Sequence, residues 1–178
     1  MEENRQATDF DRQVVEMLTL ATEYFRFLES LENVSKTDFQ QFILKMSALL
    51  YVKGLMFPET EQPDESGNER FVTEEEWENI FNAIRAKLET DDNFADIESP
   101  ENEEIIKASL AELLADVYQD MKDFALLLTK PTQTAYDNAV YGIKQLFKSH
   151  WGIRLLTVQK VLHSRVYPEP GSNIEIDW

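Results

Sequence analysis

Apolar residues recur every three to four positions through most of the chain, and the stretches with that period are separated by segments too charged to bury, which commits the chain to helices packed on one another. Val14, Leu18, Ala21, Phe25 and Leu28 form the first stripe, in a helix expected from about Asp9. A second helix is expected from Thr37, with Gln40 completing a capping box, and carries Phe39, Phe42, Ile43, Met46, Leu49 and Leu50 until Pro58 stops it. The short link around Asn33 to Lys36 makes these two an antiparallel pair. Thr73 and Glu76 form a capping box, with Val72 and Trp77 placed as a hydrophobic staple, for a third helix through Ile80, Phe81, Ile84 and Leu88. Ser99 and Pro100 read as N-cap and first residue of a fourth helix that runs to about Thr129. Its stripe is Ile106, Leu110, Leu113, Leu114, Val117, Met121, Phe124 and Leu128, and Pro131 ends it. The last helical region, about Thr132 to Val166, carries Ala139, Ile143, Leu146, Phe147, Trp151, Leu155, Val158 and Leu162. Gly142 and Gly152 each cost it about 1 kcal/mol relative to Ala, so they mark close packing, a kink or a break. The expectation is an all-α bundle of five to six helices, mostly antiparallel, in one domain over residues 1–178. Acidic loops are expected at 58–70 and 90–99, with an irregular tail at 168–178 docked by Ile174, Ile176 and Trp178.

The formal net charge is -17, and the segment from Glu59 to Glu104 holds 17 acids against Arg70, Arg85 and Lys87, a local net of -14. Such a field repels phosphate backbones, so nucleic acid is not an expected partner. The basic stretch from Lys130 to Tyr167, net +5, is expected to face the acidic segment of its own chain or water. There is no cysteine, which excludes a disulfide framework, thiolate metal ligands and a cysteine nucleophile and suits a cytoplasmic setting. The start, MEENRQATDF, lacks the pattern of a secretory signal. Apolar runs such as Phe124 to Leu128 fall far short of the roughly 20 residues that span a bilayer, so no membrane partner is expected.

Glu112, Asp116, Asp120 and Asp123 recur four, four and three residues apart, so they share one side of the fourth helix. Carboxylates so placed are candidate ligands for Mg²⁺ or Mn²⁺, the cofactors of an alternative reading as a nucleotide or phosphate-ester hydrolase. The competing reading makes the row the solvated face of a bundle helix, partly neutralised by Lys122. His150 and His163, 13 residues apart, are too distant in sequence for a zinc pair at i and i+4, and remain general-base candidates. Trp151 is a candidate only with the other aromatic residues, as the wall of a small-molecule or peptide pocket. No glycine-rich phosphate loop is present.

Glu74-Glu75-x-x-Glu78 resembles the first acidic motif of the all-helical nucleotide pyrophosphatases related to dUTPases, but the Glu-x-x-Asp expected on the following helix is missing: Glu112 to Asp116 is one residue too long. A broader resemblance rests on Glu23-Tyr24-Phe25-Arg26-Phe27-Leu28, Tyr51-Val52-Lys53-Gly54, the run Asp116 to Phe124, Trp151-Gly152 and Leu162-His163. Together these resemble an uncharacterised family of bacterial all-helical domains of unknown function, common in gut Bacteroidetes. The resemblance implies a helical bundle in a bacterial cytoplasm and no catalytic residues. The expected function is therefore an interaction or structural module, with a homodimer or a protein partner engaged through the acidic loop or a helical face.

Overall fold

Glu112 is the only exposed residue of the helix Leu110–Leu128, because other helices cover that helix on every side. A computed structural model describes residues 2–63, 69–97 and 105–169. Its elements are α1 (Glu2–Leu28), α2 (Lys36–Met56), α3 (Glu74–Leu88), strands β1 (Asn93–Ile97) and β2 (Ile105–Ser109), α4 (Leu110–Leu128), α5 (Gln133–Leu146) and α6 (Gly152–Val166). A π-helical turn, Phe147–Trp151, joins α5 to α6 without interruption, so the two count as one bent helix and the bundle as five. α1, α3, α5 and α6 all pack on α4, and α2 closes the bundle against α1 and α6. One continuous core runs through it, with Tyr24, Ile43, Ile84, Val117, Met121, Trp151 and Leu155 all buried.

Local chemistry explains most boundaries. The α1–α2 pair is antiparallel as expected, with Phe27 stacked on Phe42 at 3.6 Å between ring centres. α1 starts at Glu2 rather than Asp9, since the polar segment before the stripe contains no helix breaker. α2 is capped by Ser35, not Thr37: the Ser35 hydroxyl accepts from the Asp38 amide at 3.1 Å and donates to the Asp38 carboxylate at 2.7 Å. Thr73 caps α3 as read, accepting from the Glu76 amide at 3.2 Å.

Between α3 and α4 the sequence reading is corrected. Glu89–Asp92 form a 3₁₀ turn and Asn93–Ile97 a strand where an acidic loop was expected. The strand pairs antiparallel with β2, Asn93 opposite Ser109 and Ile97 opposite Ile105. α4 therefore begins at Leu110, ten residues after Pro100, and Ile106 lies in β2 instead of the helical stripe. Ser109 is the N-cap: its hydroxyl accepts from the Glu112 amide at 3.2 Å and donates to the buried Asp92 carboxylate, which also accepts from the Ala111 amide at 2.7 Å. Ser99 and Pro100 lie outside the described residues, as do Ile174, Ile176 and Trp178.

The glycines divide sharply. Gly54 of α2 presses against the aromatic pair at the π turn, where a Cβ would stand 2.5 Å from both Phe147 and Trp151, and at Gly152 a Cβ would run into the Phe147 carbonyl. Gly142 has open space and marks neither close packing nor a kink; the bend lies at the π turn. The buried Lys144 locks the same junction by donating to the Gly54 carbonyl at 2.9 Å, one of the acceptors left free at the end of α2. Accordingly Gly54→Ala should lower stability by about 1–3 kcal/mol through overpacking, whereas Gly142→Ala should raise it by up to about 1 kcal/mol through helix propensity; chemical denaturation of the two variants measures both.

Candidate functional site

The carboxylate row of α4 does not face water. Because α5 and α6 cover that side of the helix, Asp120 and Asp123 are buried and Asp116 is largely so, which corrects the reading of a solvated face; only Glu112, at the first turn, is exposed. Each of the three groups is satisfied by other segments of the chain, with Arg70 shared between two of them. Asp123 accepts from the amides of Phe71 and Val72 at 2.8 and 2.9 Å and from Arg70 at 3.2 Å. Asp120 accepts from the same Arg70 nitrogen at 3.0 Å, and its other oxygen lies 2.5 Å from Nδ1 of His150. Asp116 accepts from the Trp77 indole at 3.1 Å and from Arg154 at 2.9 Å, with Nε2 of His150 at 3.9 Å. The result is one ionic chain running from the segment that enters α3, across α4, to the π turn and α6. Desolvation would weaken the Arg70 charge, but Asp120 and Asp123 outweigh it and hold its pKa above the ordinary value.

This arrangement suits cross-bracing better than metal binding. A cation entering here would have to displace Arg70 or Arg154, and among the described residues no three His, Asp or Glu side chains are grouped to hold a metal ion. The cleft beside the chain, lined by Arg70, Asp120, Asp123, Phe124 and Gly142, has a volume of about 40 Å³. That is room for water, well below the roughly 300 Å³ at which ligand pockets begin. A larger recess of about 710 Å³ lies between Phe10, residues 60–63 and the first turns of α5, away from the carboxylate row. Trp151 is a core residue, fully buried with its indole donating to the Ile143 carbonyl at 3.0 Å. His163 stands apart on the last turn of α6, exposed, with its ring 5.1 Å from that of Tyr167. Arg70 and Arg154 were not singled out from the sequence, where nothing local ties them to acids 38 to 53 residues away.

Lys122 does not neutralise that row either. It turns to the opposite side of α4, where its ammonium donates to Glu29, in the turn after α1, at 2.6 Å and to Glu76 of α3, while the Tyr118 hydroxyl lies 2.9 Å from both carboxylates and donates its one proton between them. Burial pushes the Glu76 carboxyl up, but the hydrogen bonds from Lys122 and Tyr118 outweigh it and hold its pKa below the ordinary value. Burial likewise works against the Lys122 ammonium, yet its bonds to Glu29, Glu76 and Tyr118 raise its pKa well above normal.

A different surface is conspicuous for what it leaves uncovered. α2 turns Phe39, Ile43, Leu50 and Gly54 inward, yet Leu49, Val52, Leu55 and Met56 on its outer side, with Ile153 and Leu156 on the neighbouring α6, are each 40% to 59% exposed. Leu49, counted among the core positions of its helix from the sequence, thus belongs to the outer side. The signal was present, since apolar residues surround the C-terminal half of α2 instead of forming one stripe.

Residues 8–168 match the family described as a domain of unknown function, DUF5063. The chain belongs to this family. Its fold is similar to that in the crystal structure of protein BF1032 from Bacteroides fragilis, which is 32% identical, with a TM-score of 0.79 over 91% of this chain and 97% of that one. No curated protein matches the chain. Among the described residues no helix is long and apolar enough to cross a membrane.

For this DUF5063 domain, Asp120→Ala should cost about 3 kcal/mol, since it strips a partner from both Arg70 and His150 inside the bundle; thermal or denaturant unfolding reads the loss. The Lys122 cluster sets a pH dependence. Glu76, its folded pKa depressed, contributes stability above its ordinary value of 4.5 and loses it as pH falls through the folded value. Lys122, its pKa raised, contributes below its ordinary 10.5 and loses that contribution as pH rises through the folded value. The destabilisation caused by Glu76→Gln should therefore be full at pH 7 and shrink as the pH falls below 4.5, as a denaturation series from pH 7 into acid would show.

Proposed function

We propose that this domain is an interaction module that binds a polypeptide through the outer face of α2 and α6. The observation that carries the reading is the strip of six large apolar side chains on two adjacent helices. It amounts to on the order of 500 Å² of apolar surface, at the upper end of what a monomer leaves exposed. These side chains are not surplus from a poorly filled core: the inward faces of the same helices are fully buried. The hydrolase reading has weaker support, because the carboxylates it would use are already held by Arg70, His150, Arg154 and Trp77.

A photocrosslinking residue at position 52, introduced in the native host, tests the face directly. Ultraviolet light should give a discrete crosslinked adduct from position 52, none from the exposed position 112, and none from position 52 once Ile153→Asp interrupts the strip on the neighbouring helix. Absence of any adduct from position 52 would sink the proposal.

A further inference from the structure

Two residues separate an acid that has its bases from one that has none. Glu59 is held by Lys148 at 2.7 Å with Lys144 at 3.8 Å, whereas Glu61 is exposed and has no hydrogen bond or ion pair among the described residues. Glu61 lines the recess of about 710 Å³ between Phe10 of α1, the segment after α2 and the start of α5. That volume lies within the roughly 300–1,000 Å³ of small-molecule sites. Asp137 lines it too and accepts from the neutral amide of Gln133 at 2.8 Å, a bond that leaves its charge uncompensated. Behind them Asp11 meets only the Tyr136 hydroxyl, which donates to it at 3.4 Å. Among the described residues that line the recess there is no lysine, arginine or histidine. The nearest bases are already engaged, Lys144 and Lys148 as above and Lys130 with Glu69. Burial pushes the Tyr136 phenol above its ordinary pKa, and the charges of Asp11 and Asp137 push it further, the sign of a negative field on this wall.

We propose that this recess binds an organic cation carried on an apolar stem, an aliphatic polyamine being the simplest member of the class. Its walls offer what each part of such a ligand needs. Glu61 and Asp137 supply the opposite charge, and an ammonium brings three donors to meet them. Phe10 and Tyr136, both half-buried wall residues, supply ring faces and apolar contact for the stem. Lys130 sits over Phe71 and Lys144 over Phe147, but among the described residues the rings of Phe10 and Tyr136 have neither a cation nor another ring against them. Thr60, also in the wall, has a buried hydroxyl oxygen with no hydrogen-bond partner among the described residues, an acceptor left unused. The start of α5 carries about half a positive charge and opposes a cation, but two full carboxylates in the same wall outweigh it. A hard divalent metal fits less well: it wants several oxygen ligands at short range, and among the described residues no three acids or histidines are grouped to hold one. The site is separate from the α2–α6 face and stands or falls independently of it.

Calorimetric titration of the whole chain with spermidine tests the proposal, at about 150 mM salt so that attraction to the general negative surface is screened. One saturable site with a Kd below about 1 mM is expected. Glu61→Gln and Asp137→Asn should each weaken it about fivefold or more, and Phe10→Leu, which keeps apolar volume but removes the ring, should weaken it as well. Glu74→Gln combined with Glu75→Gln removes two exposed acids from the first turn of α3, outside the recess, and should leave the affinity unchanged. Mg²⁺ at the same ionic strength should not displace the amine. If Asp137→Asn or Phe10→Leu fails to fold, Glu61→Gln decides alone, since Glu61 is exposed and unpartnered among the described residues. Absence of saturable binding overturns the proposal. So does an equal loss from the α3 pair and from Glu61→Gln, which would make the attraction a property of net charge, and so does displacement by Mg²⁺.

Discussion

The bundle depends on the enclosure of α4. Past its exposed first turn, a helix surrounded by four others has no solvated side, so each polar group it buries must find a partner within the protein or cost several kcal/mol. α4 carries Asp116, Tyr118, Asp120, Lys122 and Asp123, and each is met by a side chain or amide from another segment. These partners come from the turn after α1, from the segment entering α3, from α3 itself, from the π turn and from α6. The polar groups of one helix thereby specify where the others sit, and two opposite sides of α4 are cross-braced independently: Arg70, His150 and Arg154 on one, Glu29 and Glu76 on the other. Apolar contact alone would tolerate sliding between helices; these pairings do not.

The junction of α2 with the π turn imposes a second constraint. Gly54 lets Phe147 and Trp151 approach the α2 backbone, and Lys144 seals the end of that helix by donating to its carbonyls. Close contact on this inner side orients α2 so that its remaining apolar residues point outward. The exposed strip is thus a consequence of how the core is filled. A helix with apolar residues on most of its circumference buries one side in its own domain and presents the other to something else. The proposed interaction function follows from that geometry.

The most acidic segment has a different role from the one its composition suggests. Parts of it are structural: Asp92 caps α4, Glu76 anchors Lys122, and Glu59 and Glu69 pair with Lys148 and Lys130 of the basic C-terminal region. The expectation that this basic region faces the chain's own acids is met at these pairs.

Helix type, number and the cap of α3 were legible in the sequence, because 3.6-residue periodicity and capping boxes are local properties that neighbouring residues settle among themselves. The hairpin was not legible. Ser99-Pro100 is locally as plausible a helix start as Ser109 with Glu112, and the choice is made by Asp92, 17 residues before Ser109, which bonds the α4 N-terminus only once the strands pair. The carboxylate row was found by spacing but misplaced. Spacing puts Asp116, Asp120 and Asp123 on one side of a helix, whereas whether that side meets water or Arg70 and Arg154 depends on which helices pack against it. Likewise the sequence determined that α2 is apolar around much of its surface; only the tertiary structure decided which residues remain outside, because Gly54 allows one side alone to come into close contact.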